Sequence, residues 1–143
     1  MPKSEPTPMM GLTVESLERH QRFLDRIAKS GRIWGLRKPT ADGDLWVHST
    51  ANGDENRKGE GTAIVPLWSD RAYAQQCAKN HWPEYSPFEI PMEEFVNVVL
   101  PNMHKAKVLV GTNWNAHLIG HEIAPKKLLT QVKAALKEAG RAV

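Results

Sequence analysis

A chain of 143 residues, 41% hydrophobic and carrying five tryptophans, is long enough for one domain with a true core and too apolar to be disordered throughout. No apolar run reaches the length of a membrane span, and a single cysteine, Cys77, excludes an internal disulfide and a cysteine-based zinc site. The formal charge of +3 is unevenly placed. Residues 125–143 hold five Lys/Arg against one acid, whereas the first 124 residues hold fourteen basic and fifteen acidic side chains, so the domain as a whole does not read as a nucleic-acid binder.

Residues 1–12, MPKSEPTPMMGL, contain three prolines and no hydrophobic signal core. They predict a flexible tail on a cytoplasmic protein whose single domain is residues 13–143. A first helix is expected over about Val14–Lys29, capped by Thr13, with Leu17, Leu24, Ile27 and Ala28 on its apolar face, Phe23 beside it and Gly31 as its stop. Ile33–Arg37 and Leu45–His48 read as a hairpin across the Asp-Gly turn of PTADGD. Thr50–Gly61 is polar and rich in Gly and Asn, and reads as a long loop. A third strand enters through TAIVPLW, where Pro66, lacking an N–H, implies an edge or a strand end.

A second helix is expected from Ser69, its N-cap, to Trp82-Pro83, with Tyr73, Ala74, Cys77 and Ala78 facing inward. PFEI reads as a short strand. Pro91 then opens a third helix, with Glu93 and Glu94 in its first turn and Pro101 as its stop. KVLVGTNW and HLIGHEI read as two strands joined through NWNA, and APKKLLTQVKAALKEAG as the last helix. Hairpin signals outnumber crossover signals. The expected architecture is α+β: one two-layer domain, a mostly antiparallel sheet of about five to six strands with about four helices packed on it.

Each chemically suggestive residue has a structural reading and a functional one. Ser69 and Asp70 suit a helix start; with Trp68 and Arg71 left at the surface they become a partner site. Asp70 would repel a phosphate, and no glycine-rich phosphate cradle exists in the chain. Cys77 and His81, spaced i, i+4, can meet as a thiolate pair, but Cys77 falls in an apolar face. His117 and His121, placed on one strand, lie about 13 Å apart and do not share a metal. Asn113, Trp114 and Asn115 read as a turn or as a contact site. On the last helix Lys126, Lys133 and Lys137 line up opposite Leu128, Val132 and Leu136, with Arg141 near them, as a solvated face or a weak nucleic-acid contact.

The blocks FLDRIAKSGRIWGL, IVPLWSDRAYAQQCAKNHWPEYSPFEIPMEEFVNVVLPNM and VLVGTNWN resemble the bacterial family known as domain of unknown function 2750, over roughly Leu17–Leu136. The family has no assigned activity, so the resemblance implies no catalytic residue. A looser likeness to the N-terminal domain of the enhanced-serine-sensitivity family implies a small α+β module that binds other proteins. The Thr50–Gly61 loop is longer and more charged than the family pattern, so any binding role for it belongs to this branch.

Together these readings favour a non-catalytic protein-binding module of regulatory or toxin-neutralising (immunity) type. Its partner-binding candidates are Trp68, Asp70, Arg71, Asn113, Trp114 and Asn115. No metal or cofactor is implied, membrane attachment is not expected, and self-association is compatible with the reading. A small enzyme with a pocket near Ser69, Asp70, Asn113 and Asn115 is the first alternative, and nucleic-acid binding by the C-terminal lysines the second.

Overall fold

The computed structural model describes residues 14–50 and 62–141. The N-terminal tail, the Thr13 cap and all of the expected loop except Thr50 lie outside these residues. Helix α1 (Val14–Ser30) ends at Gly31, whose φ of +76° lets its N–H reach back to the Ile27 carbonyl at 2.8 Å. The buried face of α1 is Ser16, His20, Phe23, Leu24, Ile27 and Ala28. Leu17 is 46% exposed and is not part of it. The stripe is rotated because two polar residues, Ser16 and His20, are drawn inward.

Strands β1 (Arg32–Thr40) and β2 (Gly43–Trp46) form the expected hairpin, with a tighter turn than expected because Pro39 pairs with Asp44 and Thr40 with Gly43. Pro39 is tolerated because β5 (Ser86–Pro91) pairs with β1 only as far as Arg37, leaving β1 with one partner beyond it. The second sheet runs β3 (Ser49–Thr50), β4 (Ala63–Leu67), β6 (Leu109–Thr112), β7 (His121–Ile123). Four strand pairings are antiparallel; β4 with β6 is parallel. The expected single sheet is therefore two sheets of three and four strands.

One backbone pair joins them: Trp34 and Trp68 exchange N–H···O=C bonds, both 2.8 Å. That pair also explains Pro66. It is not at an edge, since β4 has neighbours on both sides. Leu67 accepts from the Asn113 N–H on the β6 side, so by alternation the missing N–H of Pro66 faces the other side. There it falls in the gap between the Ile64–Ser49 pair and the Trp68–Trp34 pair, where no ladder bond is required.

Helix α2 (Arg71–His81) starts two residues after Ser69, with Asp70 in the N-cap position. Pro91 ends β5 opposite Arg32 and is the N-cap of the next helix, one position before the first helical residue expected of it. The next helix is continuous through three segments: α3 (Met92–Glu94), a π-helical stretch (Phe95–Val99) and α4 (Leu100–Ala106). Pro101 therefore does not stop it. The Leu100 N–H reaches five residues back to the Phe95 carbonyl, and this wider turn sits just before the proline, where the ordinary bond to residue 97 is missing. Helix α5 (Pro125–Glu138) closes the chain.

The main core gathers Phe23, Ile33, Leu67, Phe95, Val110 and Leu128, from α1, the π-containing helix, α5 and one sheet face. Alternate strand residues Leu36 and Trp68 face the other way, onto Ala74, Cys77 and Ala78 of α2. The result is a single α+β domain in which α2 covers the second sheet face, a layer beyond the two expected. Phe23→Ala is expected to cost about 3–5 kcal/mol and Leu17→Ala no more than about 0.5 kcal/mol, read from urea denaturation. Equal costs would contradict the rotated face of α1.

Candidate functional site

The ends of β4 and β6 lie side by side, so the residues that follow each strand, Trp68–Asp70 and Asn113–Asn115, meet at one corner. Asn113 adopts φ +49°, a left-handed conformation that Asn tolerates. Its side-chain oxygen accepts the Ser69 N–H at 2.8 Å, and its amide nitrogen donates to Ser69 Oγ at 3.1 Å and to the Arg19 carbonyl at 3.4 Å. Ser69 Oγ in turn donates to Asp70 Oδ1 at 2.5 Å. Both Asp70 oxygens are gripped by Arg26, Nε at 2.7 Å and Nη2 at 2.5 Å. Burial pushes the Asp70 carboxyl up, but hydrogen bonds from Arg26 and Ser69 and the charges of Arg26 and Arg22 outweigh it and hold the group below its usual range.

The indoles seal the corner from beneath. Trp68 is 0% exposed and donates Nε1–H to the Trp114 carbonyl at 3.0 Å. Trp114 is 5% exposed and donates to the His121 carbonyl at 3.1 Å. The Trp114 ring is clamped between two glycines. A Cβ on Gly111 would fall 2.4 Å from Trp114 Cε2, and one on Gly120 2.4 Å from its Cδ1, so any side chain at either position displaces the indole. Asn115 is a turn residue: its side-chain oxygen accepts the N–H groups of His117 and Ile119 at 2.8 and 3.1 Å.

A second polar cluster continues from this corner to α5. His20 is buried, with Nδ1 2.8 Å from Thr112 Oγ1 and Nε2 2.6 Å from Gln131 Oε1. The amide oxygen accepts only, so Nε2 carries the proton and Nδ1 accepts from the threonine hydroxyl. The ring lies 4.3 Å from that of His121. Burial lowers the His20 pKa; the Gln131 bond opposes this, and the neighbouring His121 adds to it.

Several expectations are corrected here. Ser69 is not the N-cap, and its polar atoms are spent on Asn113 and Asp70. Trp68, Asn113 and Trp114 are at most 5% exposed and cannot act as surface anchors. Arg71 is exposed, and Asp70 and Asn115 are half-buried at the rim. Cys77 and His81 do not pair. Cys77 Sγ donates toward the carbonyls of Asn115 (3.3 Å) and Trp114 (3.6 Å), and His81 Nε2 toward that of Ala116 (2.6 Å). Burial pushes the Cys77 thiol up to about 11, although a bond from Trp68 and the charge of Arg19 pull the other way. His117 lies in a turn rather than on a strand with His121, because β7 is only three residues long. Among the described residues no three His, Cys, Asp or Glu side chains are placed to hold a metal. Lys126, Lys133 and Lys137 form an exposed stripe, but Arg141 turns away to donate to the Lys29 carbonyl at 2.6 Å.

His20, Arg19, Arg22 and Arg26 were not among the residues singled out from sequence. One signal was present for His20: it stands in helical register with Phe23, Leu24 and Ile27. Arg26 gave none, since Asp70 lies 44 residues away, and Arg19 reads only as the i, i+4 partner of Glu15, its carbonyl meeting Asn113 94 residues on. Concavities lie elsewhere on the described residues. One, of about 620 Å³, runs between α1 and α5 over His20 and Gln131; the other, apolar and about 340 Å³, lies between Trp46, Val65 and the π-containing helix at Val98, Val99 and Met103.

The fold and this corner define a small α+β domain built around a hydrogen-bonded, indole-sealed junction. The chain belongs to the family described as protein of unknown function DUF2750, whose model matches residues 20–132 and so takes in every residue of the corner. No curated protein and no solved structure matches the chain. No described helix is long and apolar enough to cross a membrane.

Two measurements follow from the geometry. Because the folded His20 pKa lies below its ordinary 6.5, the neutral ring stabilises the fold fully above that pH. As pH falls below about 6.5 the unfolded chain takes up the proton first, so stability drops until the folded pKa is passed. His20→Gln is expected to flatten this part of the melting-temperature profile; an unchanged slope would place the titration elsewhere. Cys77 is expected to resist a thiol reagent at neutral pH in the native state and to react quickly in denaturant. Equal rates would contradict its burial.

Proposed function

We propose that the chain is a non-catalytic module of the bacterial cytoplasm that binds another protein, of regulatory or toxin-neutralising type. One observation carries the reading: the corner turns its reactive groups inward and its arginines outward. Ser69, Asn113, Cys77 and His20 are hydrogen-bonded within the fold. Arg22 and Arg26 bring their charges to Asp70 at an exposed rim, with Tyr73 beside Arg26 and Arg71 exposed next to Asp70 in the chain. Arg26 is occupied by Asp70; Arg22 and Arg71 have no ion-pair partner among the described residues.

Arginine and tyrosine are favoured at interface centres, and a planar guanidinium fork suits a partner carboxylate. The backing is rigid, since the rim stands on the bonded corner. A small module that binds other proteins is also what the looser likeness to the enhanced-serine-sensitivity N-terminal domain implies.

The test is retention of proteins from native lysate by the wild type and by an Arg22→Glu/Arg71→Glu variant. Both variant positions are exposed, so melting temperatures should agree. Trp114→Ala is unsuitable, because it opens the core. A partner retained by the wild type and bound about tenfold or more weaker by the variant supports the reading. No retained partner, or equal retention by both, refutes it.

A further inference from the structure

The tertiary structure extends the lysine stripe of α5. The register of β6 on β7 sets Val110 against Ile123, so the residues just before β6 and just after β7 emerge at the same end of the ladder. Lys105 and Lys107, at the end of α4, thereby join Lys126 and Lys127 at the start of α5, and α4 packs on α5. Residues 105–137 carry six lysines and one acid, Glu122, a local charge of +5; the rest of the chain, with thirteen basic and fifteen acidic residues, is −2. All six lysines are exposed. None has an ion-pair partner among the described residues, whereas Arg19, Arg26, Arg32, Arg37 and Lys38 all do.

We propose that this α4–α5 lysine face binds a nucleic-acid phosphodiester backbone, without base specificity. Lys126, Lys133 and Lys137 span twelve residues of α5, about 16 Å of helix, a straight track long enough to follow several phosphates. Thr130 and Ala134 are the exposed residues between them, and no large apolar side chain is exposed on α5. A membrane-surface helix needs an apolar face to insert, and that of α5 is buried in the core through Leu128, Val132 and Leu136. A protein interface needs aromatic or apolar anchors, which this face lacks. Gln131 is spent on His20, and the exposed Asn102 and His104 beside Lys105 are too few to read a run of base edges or to stack successive bases. This face is separate from the arginine rim, and the two proposals stand or fall independently.

The test is binding of a fluorescein-labelled DNA duplex to the full chain, by anisotropy, across a salt series. If three to four lysines engage phosphates, log K is expected to fall against log salt with a slope of roughly −3. A Lys126→Glu/Lys133→Glu/Lys137→Glu variant should lose binding, and the Lys→Arg version of the same positions should keep it. Arg22→Glu/Arg71→Glu should keep it as well. Melting temperatures of each variant guard against unfolding. No binding at low salt, a flat salt dependence, or full binding by the glutamate variant would overturn the proposal. So would tighter binding to polyglutamate or to phosphatidylserine vesicles at equal anionic charge.

Discussion

Trp68 is held on three sides at once. Its backbone closes a reciprocal pair with Trp34, its indole donates to the backbone of Trp114, and its ring is wholly buried among Leu36, Ala74, Cys77 and Ala78. The pair with Trp34 is the point where the two sheets join. The peptide that follows it must therefore leave β4 at a fixed position, which sets the start of α2 and the place where Asn113 can meet Ser69. A short ladder such as β3 with β4 or β6 with β7 would be weak alone. Trp68 reinforces what the main core already joins, Ile33 and Ile90 of one sheet against Leu67 and Val110 of the other, by tying backbone, indole and core in the same place.

The polar groups of the corner follow from that constraint. Once Trp68 and Trp114 are buried, the carbonyls and amides near them lose water and each must find a partner. Asn113 serves Ser69, Ser69 serves Asp70, and Asp70 takes Arg26. Cys77, which has the pattern of a nucleophile in sequence, instead becomes a donor to two carbonyls with its thiol proton held tightly. A saturated network of this kind favours one rigid arrangement over reactivity. The groups left outside it are the arginines of α1 and α2, Arg22, Arg26 and Arg71, all exposed.

Much of the architecture was legible in local pattern. The four helical bodies, the β1–β2 hairpin, the inward face of α2 and the core side of α5 all follow from apolar spacing and turn chemistry, which act over a few residues. Local rules misled where a distant partner changed the need. Pro66 read as an edge or a strand end: β4 does end one residue later, at Leu67, but it has neighbours on both sides, and Pro101 read as a stop because the π turn that accommodates it has no spacing signature. Leu17 read as core because nothing nearby says that His20 will be bonded by Thr112 and Gln131, 92 and 111 residues away.

For the site, local sequence is enough to say which residue types follow β4 and β6, and that Asn and Gly there make turns. Folding in three dimensions turns both tryptophans inward, brings Arg22 and Arg26 to Asp70, and sets Lys105 and Lys107 at the end of the ladder where α5 begins. The physical reason is the same in each case. Burial of an indole, convergence of guanidinium groups and merging of two lysine clusters are set by which strand ends lie side by side, and the parallel pairing of β4 with β6 brings together segments more than forty residues apart.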